Sequence, residues 1–147
     1  MTDMISREIL APAAVLVFWT LLVLLWMAFT RFSAFKAANI NLAEAKPGRR
    51  GQNLEGVLPD KIMWPAHNYA HLVEQPTIFY AVVVILALLG QGTGLNLSLA
   101  WAYVGVRILH SLWQIGVNTI PVRFGLFLLS TTLLLILAIN ALRAALA

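Results

Sequence analysis

His67, His71 and Glu74 stand at i, i+4 and i+7 in the stretch PAHNYAHLVEQPTIFY, and Arg107, His110 and Gln114 at i, i+3 and i+7 in RILHSLWQ. At about 100° per helical residue the first set falls within about 60°, and the second, extended by Tyr103 and Asn118, within about 80°. Imidazoles and a carboxylate at such spacing can ligate a metal. Guanidiniums instead favour a ligand rich in carboxylates, and one beside a thiol makes it a thiolate nucleophile at neutral pH. A third cation, Arg123, follows shortly after Asn118. The chain has no cysteine, so any thiol chemistry at these residues needs a thiol carried in by a substrate.

The elements that must position these residues are membrane helices. Of 147 residues, 61% are hydrophobic and 11% charged, against the roughly 25% charged residues of a soluble domain. The net charge of +4 forms no basic stripe with interleaved aromatics, so nucleic acid is not an expected partner. Apolar blocks predict four spans at about 9–30, 66–90, 97–118 and 121–142, with a polar loop over 31–65, in a single membrane domain covering 1–147. The first block is too long for a signal peptide, and Asp3 and Glu8 precede it beside Arg7. The apolar run from Thr77 to Leu89 is too short to cross alone. The second span must therefore begin near Ala66, which draws His67, His71 and Glu74 into the membrane.

Arg31, Lys36, Lys46, Arg49, Arg50 and Lys61 gather in the first loop, Arg123 opens the fourth span, and the second loop has no charge. The first and third loops are thus expected to face the cytoplasm and both termini the other side, although Arg7 and Arg143 weigh slightly against it. Both polar stripes then occupy the cytoplasmic half, Glu74 at a depth of roughly 12 Å. An ionised side chain facing lipid costs at least about 2.5–3.5 kcal/mol, so the stripes are expected to face each other, Glu74 pairing with Arg107. A single buried ion pair joining two helices is the plainest reading of that pair. It leaves three histidines, Gln114, Asn118 and Arg123 unexplained.

Other polar residues have plainer roles. Arg31 and Arg123 sit at span ends, where arginines snorkel to headgroups. Trp19, Trp26, Trp64, Trp101 and Trp113 fit interfacial anchoring or packing. Ser130, Thr131 and Thr132 are expected to bond back into their own helix or across to a neighbour. Pro76 loosens the carbonyls near residue 72, which requires a polar environment there.

The four-span layout, the basic first loop, the polar start of the second helix leading to Glu74, Arg107-Ile-Leu-His110 and Pro121-Val-Arg123 together resemble the MAPEG family, membrane-associated proteins of eicosanoid and glutathione metabolism. The likeness covers nearly the whole chain and suggests a divergent, bacterial-type member. It implies an all-α integral membrane four-helix bundle assembling as a homotrimer, with glutathione as co-substrate bound between subunits in the cytoplasmic half. By the same resemblance Arg31, His67, His71, Glu74, Arg107, His110 and Gln114 would bind glutathione, Arg31 from the adjacent subunit, while Arg123 would stabilise the thiolate. The sequence departs from the family pattern where His67 and His71 replace an arginine and an asparagine, where Gln114 replaces an aromatic hydroxyl, and where Phe124 follows Arg123.

Three functions follow as expectations. The first is a glutathione-dependent transferase or peroxidase acting on a lipophilic electrophile that enters from the bilayer. The second is a non-catalytic bundle of the same kind binding another anionic ligand or a lipid. The third is a metal-binding membrane protein using His67, His71, Glu74 and His110, which Arg107 disfavours by placing a positive charge beside the ion.

Overall fold

A computed structural model describes residues 5–147, so Asp3 lies outside the described residues. The chain is all-helical. Four helices dominate: α1 (Leu10–Ala37), α2 (Asp60–Leu88), α3 (Gly94–Gly116) and α4 (Ile120–Leu146), with short 3-10 turns at Arg7–Ile9, Leu42–Glu44 and Gly51–Leu54. They alternate in direction, so the first loop and the α3–α4 turn lie at the same end of the bundle. At the other end Asn96 of α3 meets Asn140 of α4 at 2.7 Å.

Three helices, α1, α2 and α4, are long and apolar enough to cross a membrane. Four spans were expected, and α3 departs from the other three in composition only. Its 23 residues would reach about 34 Å at 1.5 Å per residue, but its polar stripe lowers its mean hydropathy. That stripe faces inward: Tyr103, Arg107, His110 and Gln114 are all buried, together with Ala100, Val104 and Ser111. α1 is the reverse case, apolar nearly all round and burying only Pro12, Leu16 and Val23, as suits a helix with most of its surface in lipid.

The polar loop is shorter than the sequence suggests, occupying 38–59. α1 continues through Arg31 to Ala37, because nothing from Arg31 to Lys36 breaks a helix and Lys36 in the last turn suits the negative end of the dipole. Asn39, at φ 51°, then turns the chain in a left-handed conformation that asparagine tolerates. α2 likewise starts early, with Asp60 in its first turn, where a carboxylate is favoured.

The core runs along the bundle axis through Leu16, Val23, Leu72, Phe79, Val83, Leu86, Val104 and Leu137. Phe79 stacks on Tyr103 at a centroid distance of 4.4 Å and 23° between planes, locking α2 against α3 immediately beside the buried polar residues.

Candidate functional site

α3 supplies the centre of the site. Arg107, His110 and Gln114 are respectively 1%, 2% and 2% exposed, so their polar groups need partners inside the protein. Arg107 finds one: its Nη2 donates to the backbone carbonyl of His71 at 2.7 Å and lies 3.4 Å from His71 Nδ1. The His71 and His110 rings meet edge to face with centroids 4.8 Å apart, and Phe127 of α4 lies 5.7 Å from His71.

Arg123 reaches the same place from the start of α4. The α3–α4 turn is set by Asn118, at φ 61°, whose N–H returns to the Trp113 carbonyl at 2.8 Å and ends α3. The Asn118 side chain then accepts a 2.8 Å hydrogen bond from Arg123 Nη1, so one residue both shapes the turn and aims the guanidinium. A cavity of about 240 Å³ results, lined by His71, His110, Ile120, Arg123, Phe124 and Phe127.

Two residues lining this cavity have polar atoms buried without a partner among the described residues, both ring nitrogens of His110 and Arg123 Nε; beyond the lining, Arg107 Nε and Nη1 and Gln114 Oε1 are buried and unpartnered as well. Each such atom costs about 1–3 kcal/mol if nothing polar meets it. Their concentration in one place fits a polar, predominantly anionic ligand: guanidinium donors for carboxylates, and imidazole and amide groups for peptide atoms or a thiol.

Not every expected residue joins them. Glu74 does not pair with Arg107; it is exposed, and among the described residues the one contact of ion-pair length is His67 Nε2 with Glu55, at 3.1 Å. The buried face of α2 instead carries Asn68, Leu72, Pro76, Phe79 and Val83. At about 100° per residue, His67 and Glu74 lie roughly 140–160° from the centre of that face, nearly opposite it, and His71 is the nearest of the three at about 100°. For the same reason the expected metal set does not assemble: among the described residues no three histidine, aspartate or glutamate side chains converge on one point. Arg31 belongs to a different cavity, between the end of α1 and the first loop.

Two polar clusters join the helices through residues that were not singled out in the sequence, Gln75, Asn68 and Ser111. Gln75 Nε2 donates to Thr131 Oγ1 at 2.8 Å, and its Oε1 accepts from Tyr103 at 3.2 Å, with Ser130 Oγ 3.4 Å away, tying α2 to α3 and α4. Ser111 of α3 accepts from Trp19 Nε1 of α1 at 2.9 Å and from the Asn68 amide of α2. Ser130, Thr131 and Thr132 also donate back to carbonyls of their own helix, at 2.7–2.9 Å, as expected. The signal for Gln75 and Asn68 was their spacing, since both share a helical face with Leu72 and Phe79.

Comparison with known proteins gives one match. The family model described as the MAPEG family covers residues 9–143, nearly the whole chain. No curated protein and no solved structure matches. With its helical architecture, membrane-length apolar helices and near-complete coverage by that model, this chain belongs to the MAPEG family, whose members are membrane proteins associated with glutathione.

Proposed function

We propose that the protein is a membrane-embedded glutathione-dependent transferase or peroxidase, acting on a lipophilic electrophile drawn from the bilayer. The observation that supports this most directly is the juxtaposition of Arg123 with the unpartnered ring nitrogens of His110 in one cavity. Arg123 would hold the sulfur as a thiolate, its fixed charge reinforced by the positive end of α4. The thiol proton passes to solvent or to a His110 ring nitrogen, and Arg107 and Gln114 would hold the polar groups of the peptide. In transfer, the thiolate sulfur bonds to an electrophilic carbon and the displaced electron pair takes up a proton. In peroxidase chemistry, two thiols give a disulfide while a hydroperoxide is reduced to an alcohol and water.

Glu74 is exposed on a single chain, and Arg31 lines another cavity. By the family resemblance both would reach glutathione across a contact between chains, in a homotrimer with sites at its subunit boundaries. The charge pattern supports placing this end of the bundle at the cytoplasmic face.

Arg123→Ala tests the reading. Loss of a preorganised cation at the developing charge should lower kcat by about 10²–10³ while sedimentation in detergent shows the same assembly. Unchanged turnover would remove Arg123 from the chemistry.

A second reading has one observation in its favour. His67, where relatives carry an arginine, turns away from the cavity to Glu55, so one cation expected at the peptide is missing from it. The bundle would then bind another anion without catalysis. Calorimetry with glutathione decides between the two, since undetectable binding leaves only the second.

A further inference from the structure

The cavity at Arg123 has an apolar part, formed by Ile120, Phe124 and Phe127, to which no step has yet been assigned. At about 100° per residue Arg123 falls on the buried face of α4, defined by Ser130, Leu134, Leu137 and Ala141, while Phe127, Ile120 and Phe124 lie about 50°, 70° and 110° round the helix from its centre. Phe127 is part-buried, and the two beyond it are exposed, Ile120 at 74% and Phe124 at 60%. The three side chains lead from the lipid-facing surface of α4 to the cation.

Room there is small. The cavity's 240 Å³ or so falls short of the roughly 300–1,000 Å³ of pockets that enclose a whole small molecule. Rings line it closely: Phe127 lies 5.7 Å from His71, which meets His110 at 4.8 Å. Phe124 is the outermost of the apolar three and follows Arg123 directly in the chain, so a molecule arriving from the bilayer passes its ring before it reaches the guanidinium. A reactive carbon at the end of a slender or planar group brings one arm past that ring. A reactive carbon between two long chains must bring both.

We propose that Phe124 determines the specificity of this cavity, admitting electrophiles whose reactive carbon ends a slender or planar apolar group and turning away those whose reactive carbon lies between two long chains. That the admitted molecule meets a glutathione thiolate rests on the function proposed above; the restriction itself belongs to the wall. An aryl enone is a molecule of the admitted class. The sulfur bonds to its β-carbon, the carbon–carbon π bond breaks, and the proton lost by the thiol is returned at the α-carbon, so nothing is displaced or oxidised.

The chain has no cysteine, so Arg123→Cys places a single thiol in the cavity and Leu128→Cys a single thiol on the outer face of α4, at a residue 48% exposed. Each full-length protein in neutral maltoside detergent is treated with benzalacetone, whose enone carries one phenyl ring, and with an enone of the same kind set between two octyl chains, labelling being followed by intact mass. The rate ratio at Leu128→Cys accounts for intrinsic reactivity and partition into the micelle. Beyond that reference, the ratio at Arg123→Cys should favour benzalacetone about tenfold or more, the scale on which apolar pockets discriminate size, and adding Phe124→Ala should cut the preference about tenfold. His110→Cys, which supplies the thiol from α3, makes the same comparison should Arg123→Cys misfold. Equal ratios at the cavity and outer thiols, or a preference that survives Phe124→Ala unchanged, would overturn the proposal. The cysteine-free parent should show the same preference in kcat/KM with glutathione; selective labelling without any glutathione turnover would keep Phe124 in its role and sink the proposed function instead.

Discussion

The guanidinium of Arg107 donates to the backbone carbonyl of His71, 2.7 Å away, in the turn before Pro76. A proline inside a helix removes one N–H and crowds the carbonyls of the preceding turn. The carbonyl that loses its N–H partner to Pro76 is that of Leu72, and Arg107 binds its neighbour, the carbonyl of His71, so a buried cation of α3 ties itself to the loosened turn. The same contact fixes where Arg107 can point: toward α2's backbone and the His71 ring, and away from the exposed Glu74.

Arg107→Met should therefore be costly and Glu74→Gln nearly silent for stability. Breaking a hydrogen bond to a charged group costs about 1.5–3 kcal/mol, whereas an exposed substitution stays within about 0.5 kcal/mol. Combined, the two changes should add, with a coupling below about 0.5 kcal/mol. Reversible unfolding in mixed micelles measures all three; a coupling of several kcal/mol would reinstate a direct ion pair.

Gln75→Leu should loosen the bundle without touching ligand binding. It removes the amide that meets Thr131, Tyr103 and Ser130, and hydrogen bonds between membrane helices are worth about 0.6 kcal/mol on average and up to about 1.7. Unfolding should shift by that much while the glutathione dissociation constant stays put. A large change in affinity with no change in stability would move Gln75 into the site.

The contrast between α2 and α3 explains what was legible in the sequence. On α3 all the strongly polar residues before the final turn fall on one face, so burial of Tyr103, Arg107, His110 and Gln114 followed from spacing alone. On α2 two faces compete, one with His67 and Glu74, the other with Asn68 and Gln75. A neutral amide is cheaper to desolvate than an ionised carboxylate, so the amides go inward among Leu72 and Phe79 while the chargeable groups stay outside. Reading the stripe by its most chemically active residues chose the wrong face of that helix for packing within one chain. The second role of Asn118, accepting from Arg123, depends on a left-handed turn that spacing does not encode. The extension of α1 past Thr30 was also hidden, because charge at Arg31 and Lys36 marks the end of the hydrocarbon and not the end of the helix.

Sidedness offers a direct check. Positive residues cluster at the end of the bundle that holds the first loop and Arg123, so a reporter fused after Ala147 should lie opposite that end, on the non-cytoplasmic side. Alkaline phosphatase at this position should be active, and a cysteine placed at Gly48 should be shielded from an impermeant maleimide in intact cells. Labelling of that cysteine from outside would invert the topology.

Asn118 separates the shape of a turn from the aim of a cation. Asparagine at φ 61° is replaceable by glycine, which adopts that conformation freely, so Asn118→Gly should keep α3, the turn and the assembly. What it removes is the oxygen that accepts from Arg123 Nη1 at 2.8 Å. If Arg123 stabilises a thiolate only when so held, turnover should fall about 10-fold or more, since small misplacements of a catalytic group can cost up to about 10². Glutathione affinity, which the proposed function assigns mainly to Arg107 and its neighbours, should change much less. Asn118→Asp should retain the acceptor and most of the activity, though its added negative charge beside Arg123 should raise the pH needed to form the thiolate. A glycine variant as active as the parent would leave Asn118 with the turn alone.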